Sequence, residues 1–233
     1  MWMAQMDRRK RIALYGGTFD PVHLGHIEVA KRVTQLFEID QLLFVLARLA
    51  PHKMHRHVSD ELHRYAMLAL ATQGLPRLLI STFELDAPGR CYTVDTVAHF
   101  KGALGESADL FFVMGADSWA EITSWREWKR LLTMVNHIVV TRPGYVLDAQ
   151  PMMPWLAERI VDLRSETAER IADRLQSAEG PQIFLTDAVM IDISATDIRR
   201  AVRANTDELT QLVPPTVADY IRKYRLYEDS NET

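Results

Sequence analysis

The sequence of 233 residues has little of several features that define other classes of protein. It contains a single cysteine, Cys91, so no internal disulfide can form, and we expect a reducing, cytoplasmic location. No apolar run approaches the roughly 18 residues of a membrane-spanning helix, and residues 1–10 lack the apolar core of a secretory signal. The formal net charge of -4 disfavours general nucleic-acid binding, which requires a basic face. We therefore expect neither a membrane nor a nucleic acid as partner.

Several catalytic and binding signatures are absent as well. No segment reads G-x-x-x-x-G-K-[ST] or completes G-x-G-x-x-G, so neither a P-loop NTPase nor a standard dinucleotide fold is indicated. Neither H-E-x-x-H nor a set of cysteines accompanies the histidines, and no Ser-His-Asp or Cys-His set indicates a covalent nucleophile. A zinc protein or metallohydrolase stays open only through the histidines at positions His23, His26, His52, His55 and His57.

The chain does contain an alternation of short apolar runs with helical patterns. The runs predict buried strands, uniformly apolar as parallel strands covered on both faces are. They are Ile12–Tyr15, Leu42–Leu46, Leu78–Ile80, Leu110–Met114, Ile138–Val140 and Ile183–Leu185. Amphipathic patterns predict helices from near Gly25 and over Asp60–Thr72, Thr93–Lys101 and Trp125–Leu132. We therefore predict a Rossmann-like α/β fold: a doubly wound, mostly parallel sheet with helices on both faces.

The domain organisation follows from the same patterns. We predict a disordered N-terminal extension over 1–10, the Rossmann-like domain over 11–200, and a small C-terminal helical part over 201–233 that packs on it. The charged stretch Met152–Ala178 predicts one or two peripheral helices, and Val217–Tyr224 predicts the last one. The length suits one such core, whether the protein is a monomer or a homo-oligomer.

The segment Gly16–His26, with the sequence GGTFDPVHLGH, joins the first predicted strand to a helix. Backbone N–H groups of such a turn and of the first helical turn point at whatever binds there, and the helix dipole favours an anion. His23 and His26 lie three residues apart, so both imidazoles can reach one site at the helix entrance. Imidazoles beside phosphate oxygens can stabilise the charge that builds as a phosphoanhydride bond breaks, so this segment predicts a polyphosphate site.

A second segment, Ile193–Arg200, has the pattern of another helix entrance. Ser194 is predicted as the N-cap, with Asp197 in the position of a capping box. Hydroxyl groups, free backbone N–H groups and Arg199 would then converge on an anion at this second helix N-terminus.

The first segment resembles the (H/T)xGH signature of the nucleotidylyltransferase superfamily, and the second resembles its later phosphate-binding element. Further segments are similar to those of the bacterial nicotinate-nucleotide adenylyltransferases: Ala50–Lys53, Tyr92–Thr93, Gly115–Ser118, Ser124–Trp125 and Thr141–Tyr145. The resemblance extends from about Arg11 to Leu226, nearly the whole chain. Ala50 and Cys91 depart from the family pattern, which has proline and serine there.

The resemblance implies transfer of AMP from ATP to nicotinate mononucleotide, giving nicotinate adenine dinucleotide and pyrophosphate in NAD biosynthesis, with Mg²⁺ accompanying ATP. It implies catalytic roles for His23, His26 and Arg199. The residues that it assigns to ATP are Gly16, Gly17, Thr18, Phe19, His23, His26, Lys53, Gly115, Asp117, Ile193, Ser194, Thr196 and Arg199. Those that it assigns to the acceptor are Tyr92, Thr93, Trp125 and Arg126.

The acceptor assignment also has a physical basis. An indole face can stack on a pyridine ring, and N–H donors are needed to prefer a carboxylate over a carboxamide. Tyr92–Thr93 and Trp125–Arg126 can supply these groups. The choice between acid and amide stays open at this stage. The alternatives are a related transferase that uses nicotinamide mononucleotide or phosphopantetheine, and a nucleotide-binding regulator without catalysis.

Overall fold

The computed structural model describes residues 8–48, 58–141, 154–177, 179–187, 189, 191, 193–206 and 208–228. Within these residues lie the strands β1 (Lys10–Gly17), β2 (Gln41–Leu46), β3 (Leu78–Ser81), β4 (Ala108–Gly115), β5 (Asn136–Val140), β6 (Ile160–Asp162) and β7 (Ile183–Thr186). They form one sheet in the order β3-β2-β1-β4-β5-β7-β6. Every strand pairing is parallel.

Helices cover both faces of this sheet. They are α1 (Leu24–Leu36), α2 (Glu61–Thr72), α3 (Phe83–Asp86), α4 (Thr93–Leu104), α5 (Ala116–Ala120), α6 (Trp128–Met134), α7 (Pro154–Ala157), α8 (Ala168–Gln176), α9 (Ala195–Arg203), α10 (Leu209–Leu212) and α11 (Pro215–Tyr224). In the part of the chain that the structure describes, none of them has the length and apolar character needed to cross a membrane.

Successive residues of the strands enter two separate cores, as the period of a strand requires. Ala13 and Tyr15 of β1 pack into the core formed with α1, α2, α8, α9 and α11. Ile12 and Leu14 pack into the core formed with α4, α5 and α6. Because β1 is apolar on both sides, it occupies the middle of the sheet, and its carboxyl end is held rigidly between the two layers of helices.

The predicted fold class is confirmed, and each of the six predicted strands is present. The stretch Met152–Ala178 contains the two helices α7 and α8, in agreement with the one or two helices predicted there. It also contains a strand that was not predicted, β6 over Ile160–Asp162, which pairs with β7 at the edge of the sheet. The helix predicted over Trp125–Leu132 begins only at Trp128. Trp125 is extended, and Glu127 has a φ of 50°, a left-handed conformation that interrupts a helix.

The predicted domain boundaries stay a prediction. β1 already begins at Lys10, and α9 continues from Ala195 to Arg203 across the predicted boundary after residue 200. Beyond it, α11 packs on α2, which itself belongs to the sheet domain. The C-terminal helices thus extend one layer of the core.

Candidate active site

The direction of the sheet order reverses between β1 and β4. β1 continues to β2 on one side, whereas β4 continues to β5 on the other, and doubly wound sheets bind ligands at the carboxyl edge of such a switch point. Two adjoining cavities open there, with volumes of about 320 Å³ and about 450 Å³. Both are lined by Gly16, Gly17, Thr18 and Ser118. We call the smaller one, which contains His23 and His26, the polar cavity, and the larger one the aromatic cavity.

The two histidines of the polar cavity stack on each other at the start of α1. Their ring centroids lie 3.6 Å apart, and their planes are inclined by 28°. The backbone N–H of His23 donates to Nδ1 of His26 over 3.3 Å. A neutral His26 therefore carries its proton on Nε2, which can donate a hydrogen bond to an anion. The predicted convergence of the two imidazoles on one site agrees with this arrangement.

The loop after β1 lines the polar cavity with its backbone and buries its largest side chain. Phe19 has a φ of 49°, and the residue is only 3% exposed. The ring centroid lies 5.0 Å from that of His26 and 5.3 Å from that of Phe44. Phe19 therefore contributes to the core through its ring, and only its backbone is placed to contact a ligand.

The second predicted anion element lies across the same cavity, at the start of α9. The hydroxyl of Ser194 accepts a hydrogen bond from the N–H of Asp197 over 3.2 Å, as predicted for an N-cap. The Ser194 hydroxyl also donates to the Asp197 carboxylate and so lowers the pKa of that carboxyl. Arg199 donates to the carbonyl of Asp20 over 2.7 Å, which ties α9 to the loop after β1. Ser194, Thr196 and Arg199 all line the polar cavity.

The remaining residues predicted for ATP are distributed differently. Gly115 and Asp117, at the junction of β4 and α5, line the polar cavity. Ile193 does not line it: its side chain lies behind the two histidines, in a small cavity of about 30 Å³. Its apolar side chain packs there because it lies on the core side of the α9 entrance. Lys53 lies outside the described residues.

The four residues predicted for the acceptor all line the aromatic cavity. Trp125 packs against Phe112 of β4 with a centroid distance of 6.3 Å and an edge-to-face angle of 81°. The guanidinium of Arg126 lies 4.6 Å from the centre of the Tyr92 ring. Thr93 is the first residue of α4, so the N-terminus of this helix opens into the cavity. An aromatic wall and a helix N-terminus thus face the same space.

Sequence reasoning missed a carboxyl group in the aromatic cavity. Glu84 of α3 lines it and accepts a hydrogen bond from the Thr96 hydroxyl over 2.7 Å. Burial raises the pKa of Glu84 despite this bond. Burial, Glu84 and Asp95 together raise the pKa of the Cys91 thiol, which lines the same cavity. The departure of Cys91 from the family pattern therefore falls directly at the predicted acceptor site.

A second missed group lines the polar cavity. The buried carboxylate of Asp20 accepts a hydrogen bond from the Tyr227 hydroxyl over 2.6 Å and another from the N–H of Ser59 over 3.1 Å. Burial and the Asp20 carboxylate raise the pKa of Tyr227 far above its ordinary value. Tyr227, which follows α11, is thus hydrogen-bonded to the loop that precedes the two histidines. No local sequence pattern could indicate a pair separated by 207 positions.

The donor set of the site fits a metal ion that arrives with a ligand. Among the described residues, no group of three or more His, Cys, Asp and Glu side chains could hold a metal ion. Two carboxylates line the polar cavity, and that of Asp20 already accepts hydrogen bonds from Tyr227 and Ser59. The other is Asp117, beside Gly115. The Asp117 carboxylate would suit a Mg²⁺ ion whose other ligands are phosphate oxygens and water.

The switch-point position, the N-termini of α1 and α9 and the paired histidines together define a nucleotide-binding protein of the Rossmann-like class. Residues 14–201 match the cytidylyltransferase-like family. A protein from Thermoanaerobacter sp. named "Probable nicotinate-nucleotide adenylyltransferase" is 36% identical over 227 residues, which cover 97% of this chain and 99% of that protein. A protein of the same name from Acidothermus cellulolyticus is 34% identical over 94% of this chain and 95% of that protein. The chain belongs to the nicotinate-nucleotide adenylyltransferases within the cytidylyltransferase-like family.

Solved structures agree with this at the level of the fold. The structure of Plasmodium falciparum nicotinic acid mononucleotide adenylyltransferase complexed with NaAD superimposes with a TM-score of 0.68. The match covers 96% of this chain and 100% of that one at 21% sequence identity. The predicted fold is therefore confirmed, and the family model with the relatives above confirms the predicted family.

Proposed function

We propose that this protein transfers AMP from ATP to nicotinate mononucleotide, giving nicotinate adenine dinucleotide and pyrophosphate, with the triphosphate in the polar cavity and the acceptor in the aromatic cavity. The observation that carries the assignment of the two substrates is the junction of the cavities at Gly16, Gly17 and Thr18. A cationic and N–H-rich compartment meets an aromatic compartment there. The names of the near-full-length relatives support the same activity.

The chemistry needs no covalent intermediate. An oxygen of the acceptor phosphate forms a bond to the α-phosphorus of ATP, the bond from that phosphorus to the bridging oxygen breaks, and pyrophosphate leaves with the electron pair. The acceptor phosphate is already ionised at neutral pH, so no general base is required.

Several side chains of the polar cavity have a role in this step. Nε2–H of His26 and the imidazole of His23 stabilise the charge that gathers on the α-phosphate oxygens and the leaving group. Arg199, held by the Asp20 carbonyl, neutralises the β- and γ-phosphates together with the Ser194 and Thr196 hydroxyls. Asp117 would hold a Mg²⁺ ion bound to ATP, and that ion would supply further charge neutralisation.

Recognition of the acceptor uses the aromatic cavity. The Trp125 indole stacks on the pyridine ring, and the first N–H groups of α4 bind the nicotinate carboxylate. Glu84 stands at the same cavity, and its raised pKa lessens its repulsion of a second carboxylate. These features favour the acid over the amide as acceptor.

The first test compares pyrophosphate release from ATP and magnesium with nicotinate mononucleotide and with nicotinamide mononucleotide. Strong preference for the acid is expected. Equal or reversed use would leave the transferase and discard the assignment of Thr93 and Trp125 to the acceptor. Release with neither acceptor, together with tight ATP binding, would instead favour a non-catalytic nucleotide-binding protein or a transferase with another acceptor.

The second test removes the proposed phosphate donor. We expect His26→Ala to lower turnover by about 10²- to 10³-fold, the usual effect of losing one preorganised donor. The matched control is His99→Ala, at an exposed histidine of α4 outside both cavities, which should retain the wild-type rate. A His26→Ala protein that melts at a lower temperature but keeps its rate would refute the role.

A further inference from the structure

Arg64 is a cation buried directly beneath the active-site loops. Its side chain is 1% exposed and lies on the face of α2 that also carries the buried Met67 and Leu68. Its position three and four residues before these apolar side chains is the one sequence signal that could have identified it. Because burying an unpaired guanidinium is costly, its partners within the core are informative.

Those partners are backbone carbonyls. Within the described residues, Arg64 donates to the carbonyls of Ser59 over 2.9 Å, Thr18 over 2.9 Å, Ala47 over 2.7 Å and Arg48 over 3.2 Å. Thr18 belongs to the loop after β1, and Ala47 and Arg48 belong to the loop after β2. Burial lowers the pKa of Arg64, and the nearby Asp20 carboxylate opposes that effect. One side chain thus holds the loops at the ends of two neighbouring strands.

The contact with Thr18 fixes the orientation of one peptide group. In a trans peptide the C=O and the following N–H point in opposite directions. Since the Thr18 carbonyl is turned toward Arg64, the N–H of Phe19 is turned away from α2. Phe19 has a φ of 49°, a conformation that persists in a non-glycine residue only when its surroundings enforce it. Thr18 lines both cavities, whereas Phe19 lines only the polar cavity.

We propose that Arg64 is a positioning residue for ATP: by holding the Thr18 carbonyl, it keeps the Phe19 N–H directed at the bound phosphates. The inference depends on the proposed location of ATP in the polar cavity. The loop after β2 is less dependent on Arg64, because the N–H of Ala47 also bonds the carbonyl of Gly17 over 3.0 Å. Phe19, which follows the carbonyl of Thr18, lines the polar cavity but not the aromatic cavity, whereas Ala47 lines only the aromatic cavity. Loss of Arg64 should therefore affect ATP more than the acceptor.

The experiment compares Arg64→Met with Arg11→Met, a matched change at another buried arginine that bonds a backbone carbonyl. Arg11 lies at the start of β1, at the opposite edge of the sheet, where it donates to the carbonyl of Phe37 over 3.1 Å. Binding of ATP without acceptor, and of nicotinate mononucleotide without ATP, is measured by calorimetry for each folded protein. We expect Arg64→Met to weaken ATP binding by about tenfold or more, the usual effect of a lost charge-assisted hydrogen bond, with acceptor binding changed by less than about twofold. Arg11→Met should leave both affinities unchanged.

Arg64→Lys provides the second variant in case Arg64→Met does not fold. It retains a positive charge, but a single ammonium cannot span all four carbonyls, so ATP binding should again fall more than acceptor binding. Equal ATP affinity in the Arg64 and Arg11 variants would overturn the proposal, as would an equal loss for both ligands. If the Arg64 variants lose ATP affinity as expected but the wild-type protein transfers no AMP, the proposed function fails while the positioning role stands.

Discussion

Mild acid should destabilise the fold through one histidine that has no part in the chemistry. His137 lies in β5, between β4 and β7, and is fully buried, with its ring centroid 6.0 Å from that of Phe112. Neither ring nitrogen makes a hydrogen bond of ordinary geometry within the described residues. Burial lowers the pKa of His137 to about 4, against a smaller opposing effect of the Val135 backbone. The folded protein therefore strongly favours the neutral ring.

The sign and size of the effect follow from this shift. Because the folded pKa is lower than the unfolded value of 6.5, the unfolded chain binds more protons between these two pH values. The contribution of neutral His137 to stability is complete above pH 6.5 and is lost as the pH falls from 6.5 to about 4. At 1.36 kcal/mol per pKa unit, the whole shift corresponds to roughly 3.4 kcal/mol, and roughly 2 kcal/mol of it is already lost near pH 5.

The test is urea unfolding at about pH 7.5 and at about pH 5 for the wild type and for His137→Phe. Phenylalanine keeps a ring of similar shape and cannot titrate. We expect the wild type to lose about 2 kcal/mol more than the variant between the two pH values. His99→Phe is the matched control: His99 is exposed and stacks on Phe83 at 4.0 Å, so this variant should behave like the wild type. Equal losses for the wild type and His137→Phe would refute the reasoning.

Three further substitutions test single contacts of the site. Gly17→Ala adds a methyl group 2.7 Å from the Phe19 ring, which must shift and displace His26, on which it packs. Calorimetry should therefore find weaker ATP binding, and an unchanged affinity would contradict this packing argument. Trp125→Ala should raise the KM for nicotinate mononucleotide about tenfold and leave that for ATP almost unchanged, whereas equal effects would argue against stacking on the acceptor. Tyr227→Phe should lower the free energy of unfolding by about 1.5–3 kcal/mol in urea, because a buried carboxylate loses a donor; unaltered stability would show that Asp20 finds another partner.

Much of the fold was predictable because parallel strands covered on both faces are continuously apolar. That signal identified six strands, and the glycines that end β1 and β4 indicated the edge at which a ligand binds. The apolar pattern did not identify β6, for a physical reason. It has three residues, none of them fully buried, between the charged Arg159 and Leu163–Arg164, so the sheet pairing rather than the sequence pattern determines its conformation.

Sequence reasoning could group candidate site residues where they follow one another along the chain. His23 with His26, Ser194 with Arg199, and Tyr92 with Thr93 are local patterns whose cavity positions agree with the predictions. The supporting residues are not local. Arg64 bonds a carbonyl 46 positions away, and backbone carbonyls carry no residue-specific signal in a sequence. The family resemblance assigned Ile193 to ATP, but only the packing shows that its side chain turns to the core.

The pair Gly16–Gly17 is required for space rather than for backbone freedom. Neither glycine has the positive φ that glycine alone adopts easily, unlike Gly105 at the end of α4, with a φ of 55°. A Cβ atom at Gly16 would lie 3.3 Å from the Phe112 ring of the aromatic cavity, and one at Gly17 would lie 2.7 Å from the Phe19 ring beside the polar cavity. The wall between the two compartments is therefore as thin as a backbone permits. Transfer of a group between two separately bound substrates requires their reacting phosphates to approach to about 3–3.5 Å, and bulkier side chains at this junction would hold them apart.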